Sequence, residues 1–274
     1  MTKIKTGVFA LLCSCALIPL GSCPAQAKKL VSLMPSYTEI IFELGAGSEL
    51  VGVSTFCDWP AGTRAIEKIG DYLRPNLEKI YSLKPDVVFA GTWQGSPVAQ
   101  ELRNAGIKVI ELPEERAVKD IYRTATLIAA ELGRKREAAA LIKKIKSGLE
   151  SGSGGKPGPS VYLEVDEGGW TVGNTSFLSD AVEKAGGKNI FSGEDKNYFQ
   201  ASWETVVKKD PGAVILLSGS VSDFVRRPLA PGLKAVKDGK VFTGLDRNAF
   251  SRPGPRLVGE IRKLRTWLMA NGEK

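Results

Sequence analysis

At 274 residues the chain holds material for two modest domains, and 43% hydrophobic with 25% charged residues excludes disorder as a general state. The formal net charge is +8, yet no basic run alternates with aromatics, so nucleic acid is not an expected partner. Histidine is absent, which excludes His-based nucleophile triads and most first-row metal sites, so no metal ligands and no resident cofactor are expected.

Lys3 and Lys5 precede an apolar run from Gly7 to Leu20, followed by small residues. That is the pattern of a secretory signal and is short for a membrane span. Ala25-Gln26-Ala27 is an Ala-x-Ala cleavage site that leaves Lys28 first, while Leu20-Gly21-Ser22-Cys23 resembles a lipobox that leaves a lipidated Cys23. The first is preferred because a strand begins almost at once after Ala27. Either way the protein is exported, with a periplasmic location expected and residues 1–27 assigned to the signal. Cys13 and Cys15 leave with it, as does Cys23 if cleavage follows Ala27. Cys57 is then the one thiol of the mature chain, and no internal disulfide can form.

Residues 28–132 read as one lobe. A buried strand at 30–33 is broken by Pro35-Ser36, with Ser36 or Thr38 placed to cap a helix that carries Glu39 in its first turn. A second strand at 50–53 runs into the loop 54–60. Open α/β sheets bind ligands at the carboxyl ends of their strands. Pro35, Ser36 and the cluster Cys57-Asp58-Trp59 are therefore candidate walls of a site. The loop 70–76 has turn chemistry and leads into a helix over 77–83. Gly91-Thr92-Trp93-Gln94-Gly95 follows a strand directly, which sets Trp93 among small residues and points it toward a cleft.

Two amphipathic helices follow, with apolar positions at Val118, Ile121, Ala125, Ile128 and Leu132, then, after Gly133, at Ala138, Leu141, Ile145 and Leu149. Residues 133–152 are expected to be a linking helix and 153–274 a second lobe. What lies before these helices recurs after them. Glu78 stands seven residues before Pro85 and a short apolar strand, and Glu204 stands in the same relation to Pro211 and its strand. In the second lobe, Gly168-Gly169-Trp170 pairs close backbone approach with a flat ring. Phe199, Phe250 and Arg252 also fall in segments that follow strands, the side where a cleft would lie.

The stretches SLMPSYTEIIFELGAGSELVGVSTFCDWP, IGDYLRPNLEKIYSLKPDVVFAG, GNTSFLSDAVEKAGGKNIF, SWETVVKKDPGAVIL and FSRPGPRLV resemble the class III periplasmic substrate-binding proteins of ABC importers, and the cobalamin-binding members in particular. The resemblance covers nearly the whole mature chain. It implies an α/β fold of two Rossmann-like lobes joined by a long rigid helix, with a corrinoid held in the cleft between them and little lobe movement on binding. It also implies that Tyr72 stacks on the ligand, that Glu78 and Glu204 dock on an importer permease dimer, and that the protein is a monomer and not an enzyme. Two other readings stay open: an iron-siderophore or haem carrier using Arg226, Arg227, Arg247, Arg252, Tyr72 or Tyr198, and an exported tetrapyrrole chelatase.

Overall fold

The computed structural model describes residues 27–92, 97–150 and 158–271. The signal sequence, Trp93 and the Gly/Ser-rich stretch from Ser151 onward therefore lie outside the described residues, apart from Ala27. The first lobe runs β1 (Leu30–Ser32), α1 (Pro35–Glu43), β2 (Leu50–Val53), β3 (Glu67–Lys68), α2 (Leu77–Leu83), β4 (Val87–Gly91), α3 (Val98–Asn104) and β5 (Lys108–Leu112). Its five parallel strands lie in the order β3-β2-β1-β4-β5. After α4 (Asp120–Leu132) and α5 (Lys135–Glu150), the second lobe adds β6 (Ser160–Glu164), β7 (Trp170–Val172), α6 (Phe177–Lys184), β8 (Lys188–Asn189), β9 (Tyr198–Gln200), α7 (Trp203–Lys209), β10 (Ala213–Leu216), α8 (Val221–Val225), α9 (Lys234–Lys237), β11 (Val241–Phe242), α10 (Arg247–Phe250) and α11 (Leu257–Ala270).

The second parallel sheet has the order β11-β10-β6-β8. By position in their lobes, β6, β8, β10 and β11 answer to β1, β2, β4 and β5. The two sheets therefore share one winding, β2-β1-β4-β5 against β8-β6-β10-β11. The local chemistry repeats as well. Asn76 caps α2 by accepting from the Lys79 amide, and Ser202 caps α7 by accepting from the Thr205 amide. Each helix then stops on a left-handed residue other than glycine just before a proline, Lys84 at φ 48° and Asp210 at φ 39°. The repeat breaks at one place. β9 sits where β3 would be, but it pairs antiparallel with β7 as a separate two-stranded ribbon.

Between the sheets the joint is a packed helical layer. The break at Gly133 adopts φ 69° and closes α4 by donating its amide to Ala129. One apolar cluster runs through both lobes, from Leu30 and Ile40 through Ile128 and Leu141 to Leu178 and Leu264. The buried Arg265 donates to the carbonyls of Leu149 and Lys184, at 2.9 and 2.7 Å, and so pins the end of the linking helix to the second lobe. α1 departs from the expected cap. Pro35 opens the helix, and Thr38 turns its hydroxyl to Ser32 at 2.8 Å and to the Met34 carbonyl at 3.1 Å.

Candidate ligand-binding cleft

In each lobe the loops after the parallel strands converge on the facing side, which places residues 54–60 and 113–117 of the first lobe opposite 165–170 and 243–252 of the second. Polar bridges cross there. Asn197 donates to Glu114 Oε1 at 2.7 Å, Asn248 donates to Asp58 Oδ2 at 2.8 Å, and Arg252 donates to the Phe56 carbonyl at 3.0 Å. Beside them a cavity of about 380 Å³ opens on the second lobe, walled by Val165, Asp166, Trp170, Leu178, Tyr198, Arg247 and Ser251. The first lobe carries exposed aromatic surface beside its bridging residues. Phe56 and Trp59 are half exposed, and the Tyr72 ring lies 5.9 Å from that of Phe56. A larger hollow, about 560 Å³, lies within the second lobe around Gly168, Ala201, Trp203 and Arg227. It is bounded by the ribbon, α7 and the glycines of the loop after β6, all within the second lobe.

The expected site residues separate into groups. Trp170 is 44% exposed and forms part of the cavity wall, and Tyr72 packs beside Phe56 in the first lobe. Pro35 and Ser36 form the buried first turn of α1, with the Ser36 hydroxyl unpartnered. Cys57 is 1% exposed, its sulfur 3.2 Å from Thr38 Oγ1 and 3.3 Å from Ser54 Oγ, so it braces the wall from behind. Phe199 is half-buried and packs edge-on to Phe191.

One expectation needs correction, and two residues of the first and second lobes meet each other. Phe250 is fully buried in the shared core, because the short helix α10 turns that ring inward. Asp58 and Arg252 face each other as an ion pair across the lobes, so both are already engaged by protein partners. Burial works to raise Asp58, but the hydrogen bond and charge of Arg252 outweigh it and hold the carboxyl below its ordinary value.

The sequence did not point to Asp166, Leu178 and Ser251 as cavity residues, and it offered Arg247 and Tyr198 only for an iron chelate or haem. The strand alternation of β9 carried the signal for Tyr198, since period two puts Tyr198 and Phe199 on opposite faces. Tyr198 is 45% exposed, yet desolvation pushes its hydroxyl up to about 12, with Glu114 and Tyr72 adding and a Ser176 hydrogen bond opposing. Arg247 and Asp166 face each other at 3.1 Å within the cavity wall. Deeper in the second lobe, Glu164 is 1% exposed and accepts two bonds of 2.6 Å from Arg227 and one of 2.9 Å from Tyr162. Among the described residues, the exposed carboxylates of Glu78 and Glu204 have no hydrogen-bond or ion-pair partner.

Comparison with known proteins adds to this geometry. The family described as periplasmic binding protein matches residues 30–247. An uncharacterised ABC transporter substrate-binding lipoprotein of Bacillus subtilis is 31% identical over 96% of this chain and 86% of its own length. A vitamin B12-binding protein of Vibrio vulnificus is 26% identical over 88% of this chain and 89% of its own. Among solved structures, the periplasmic haem-binding protein of Roseiflexus superposes with a TM-score of 0.79 at 22% identity, covering 89% of this chain and 99% of that one. At that identity the likeness shows the fold alone.

Proposed function

Because this chain belongs to the periplasmic binding proteins that serve ABC importers, we propose that it captures a corrinoid of the cobalamin type between its lobes and delivers it to the importer's permease dimer. The observation that carries the choice of ligand is the pairing of the arginines. Arg247 faces Asp166 at 3.1 Å, Arg252 faces Asp58, Arg227 is bound twice by Glu164, and Arg226 lies 3.4 Å from Asp223. An anionic ferric chelate would call on such cations, and each of these lies beside a carboxylate. What the cleft offers instead is flat surface from Trp170, Tyr72, Phe56 and Trp59. A large macrocycle with apolar faces and neutral amide arms suits that surface. Its burial yields roughly 25 cal/mol per Å² of apolar area, less the cost of association.

The relatives named for vitamin B12 support the same reading. The family is one of binding proteins, which removes the chelatase reading. Purified protein mixed in turn with cyanocobalamin, haemin and a ferric siderophore should retain only the corrinoid through gel filtration, read by its absorbance. Retention of haemin or siderophore alone would overturn the proposal.

Glu78 and Glu204 are proposed as the docking carboxylates, one on each lobe, exposed at the second position of equivalent capped helices. Processing after Ala27 would release a soluble periplasmic protein. A relative described as a lipoprotein favours the second reading, lipid on Cys23. Intact mass of the exported protein separates the two, since a diacylglyceryl group on Cys23 excludes cleavage at Ala27.

A further inference from the structure

The helix α10 and the residues just after it carry two sets of side chains on adjacent faces. Arg247 and Ser251, one helical turn apart, stand in the wall of the cleft cavity. Asn248 and Arg252, also one turn apart, reach across to the first lobe, to Asp58 and the Phe56 carbonyl. Phe250 is the anchor between them, fully buried in the core.

Four residues further on, at the start of α11, Arg256 donates to Glu39 of α1 at 2.8 Å and lies 5.2 Å over the Trp59 ring. Glu39 is 3% exposed and also has Arg252 at 3.7 Å. Gly254 packs against this turn, where an added Cβ would come 3.2 Å from Glu39 Oε2. The wall loop 56–60 of the first lobe is thus held by side chains of the second. Its supporting cluster is not saturated, because Glu39 Oε2, Ser36 Oγ and Arg256 Nε are buried without hydrogen-bond partners among the described residues.

We propose that Asp58, Glu39, Arg252 and Arg256 form an interlobe clamp, and that α10 transmits its state to the ligand cavity. These are positioning residues. They fix the distance between the lobes and the placement of Arg247 and Ser251 without needing to touch ligand. The proposal rests on the cleft being the binding site. Asp58→Asn removes the ion pair and keeps a polar group opposite Asn248. Arg252→Gln removes the same pair from the other side.

Each variant should weaken cyanocobalamin binding about tenfold, chiefly through faster release, because a cleft no longer held at its width must be ordered when the ligand binds. The double variant should lose little more than either single one, because both act through one bridge. Arg252→Lys, which keeps the charge, should recover part of the affinity. Spin labels on Glu101→Cys and Lys208→Cys, at exposed sites in opposite lobes, should report a broader distance distribution in each clamp variant without ligand. Unchanged distances in folded variants would overturn the clamp, and so would additive losses in the double variant. If the wild type binds no cobalamin but the distances broaden, the clamp stands and the ligand assignment falls.

Discussion

Trp170 and Phe250 look alike in sequence, since each is an aromatic residue following a strand, and the fold gives them opposite tasks. Trp170 is 44% exposed on the cavity wall, so Trp170→Ala should cost about 1–3 kcal/mol of ligand binding, read by calorimetry, with the melting temperature almost unchanged. Phe250 is fully buried, so Phe250→Ala should cost about 3–5 kcal/mol of stability, read by denaturant unfolding. The distinction was not legible in the chain, because the direction of a ring in a four-residue helix depends on what packs behind it. Glu115 carries a second residue-scale prediction. Burial pushes its carboxyl up from 4.5 to about 7, against a hydrogen bond from Thr124 of 2.5 Å. A carboxyl raised on folding binds protons more tightly in the native state, so stability falls as pH rises from 4.5 to 7. Glu115→Gln keeps the acceptor for Thr124 and removes the charge. It should therefore stabilise the protein by about 2–3 kcal/mol at pH 8 and have almost no effect below pH about 4, in chemical denaturation series across pH.

At the scale of elements, α2 and α7 are the most legible parts of the chain. Equal spacing of Glu, Pro and the following apolar strand marked them as copies, and the structure adds matching caps and matching left-handed stops. Asn76→Ala and Ser202→Ala should each cost about 1 kcal/mol, and the double variant should lose the sum, since the two caps lie in different lobes and share no partner. Thermal unfolding of the two single variants and the double variant checks this, and a double loss well short of the sum would mean that the caps are coupled. The β7–β9 ribbon was not legible. Its two halves lie far apart in sequence with α6 between them, so nothing local predicts that they pair. The clamp escaped for a related reason. Asp58 and Arg252 are 194 residues apart, and nothing local to either predicts their meeting. Phe199 and Tyr198 show an intermediate case, where alternation gives opposite faces but tertiary packing decides which face is the cleft.

For the whole molecule, the two-lobed architecture was readable because it repeats, and the stiffness of the joint follows from how the repeats are packed together. The shared apolar cluster, the Arg265 tether and the polar bridges across the cleft all resist a wide opening. A joint that is stiff in this way would present Glu78 and Glu204 at a nearly constant separation. Acidic residues at helix starts also gain about 0.3–1 kcal/mol from the helix dipole, which would explain either one alone. It does not explain why both are exposed, lack partners among the described residues and sit at equivalent positions of the repeat. A symmetric permease dimer bearing a basic site on each subunit could engage one lobe per subunit. Such contacts set register and encounter rate more than bulk affinity. Glu78→Ala combined with Glu204→Ala should therefore leave ligand affinity and melting temperature nearly unchanged while sharply reducing uptake in vesicles that contain the importer. Charge reversal to Arg at either site should be more damaging than Ala, because it adds repulsion to the lost attraction. Transport at the wild-type rate by the double Ala variant would show that the two glutamates are only helix starts.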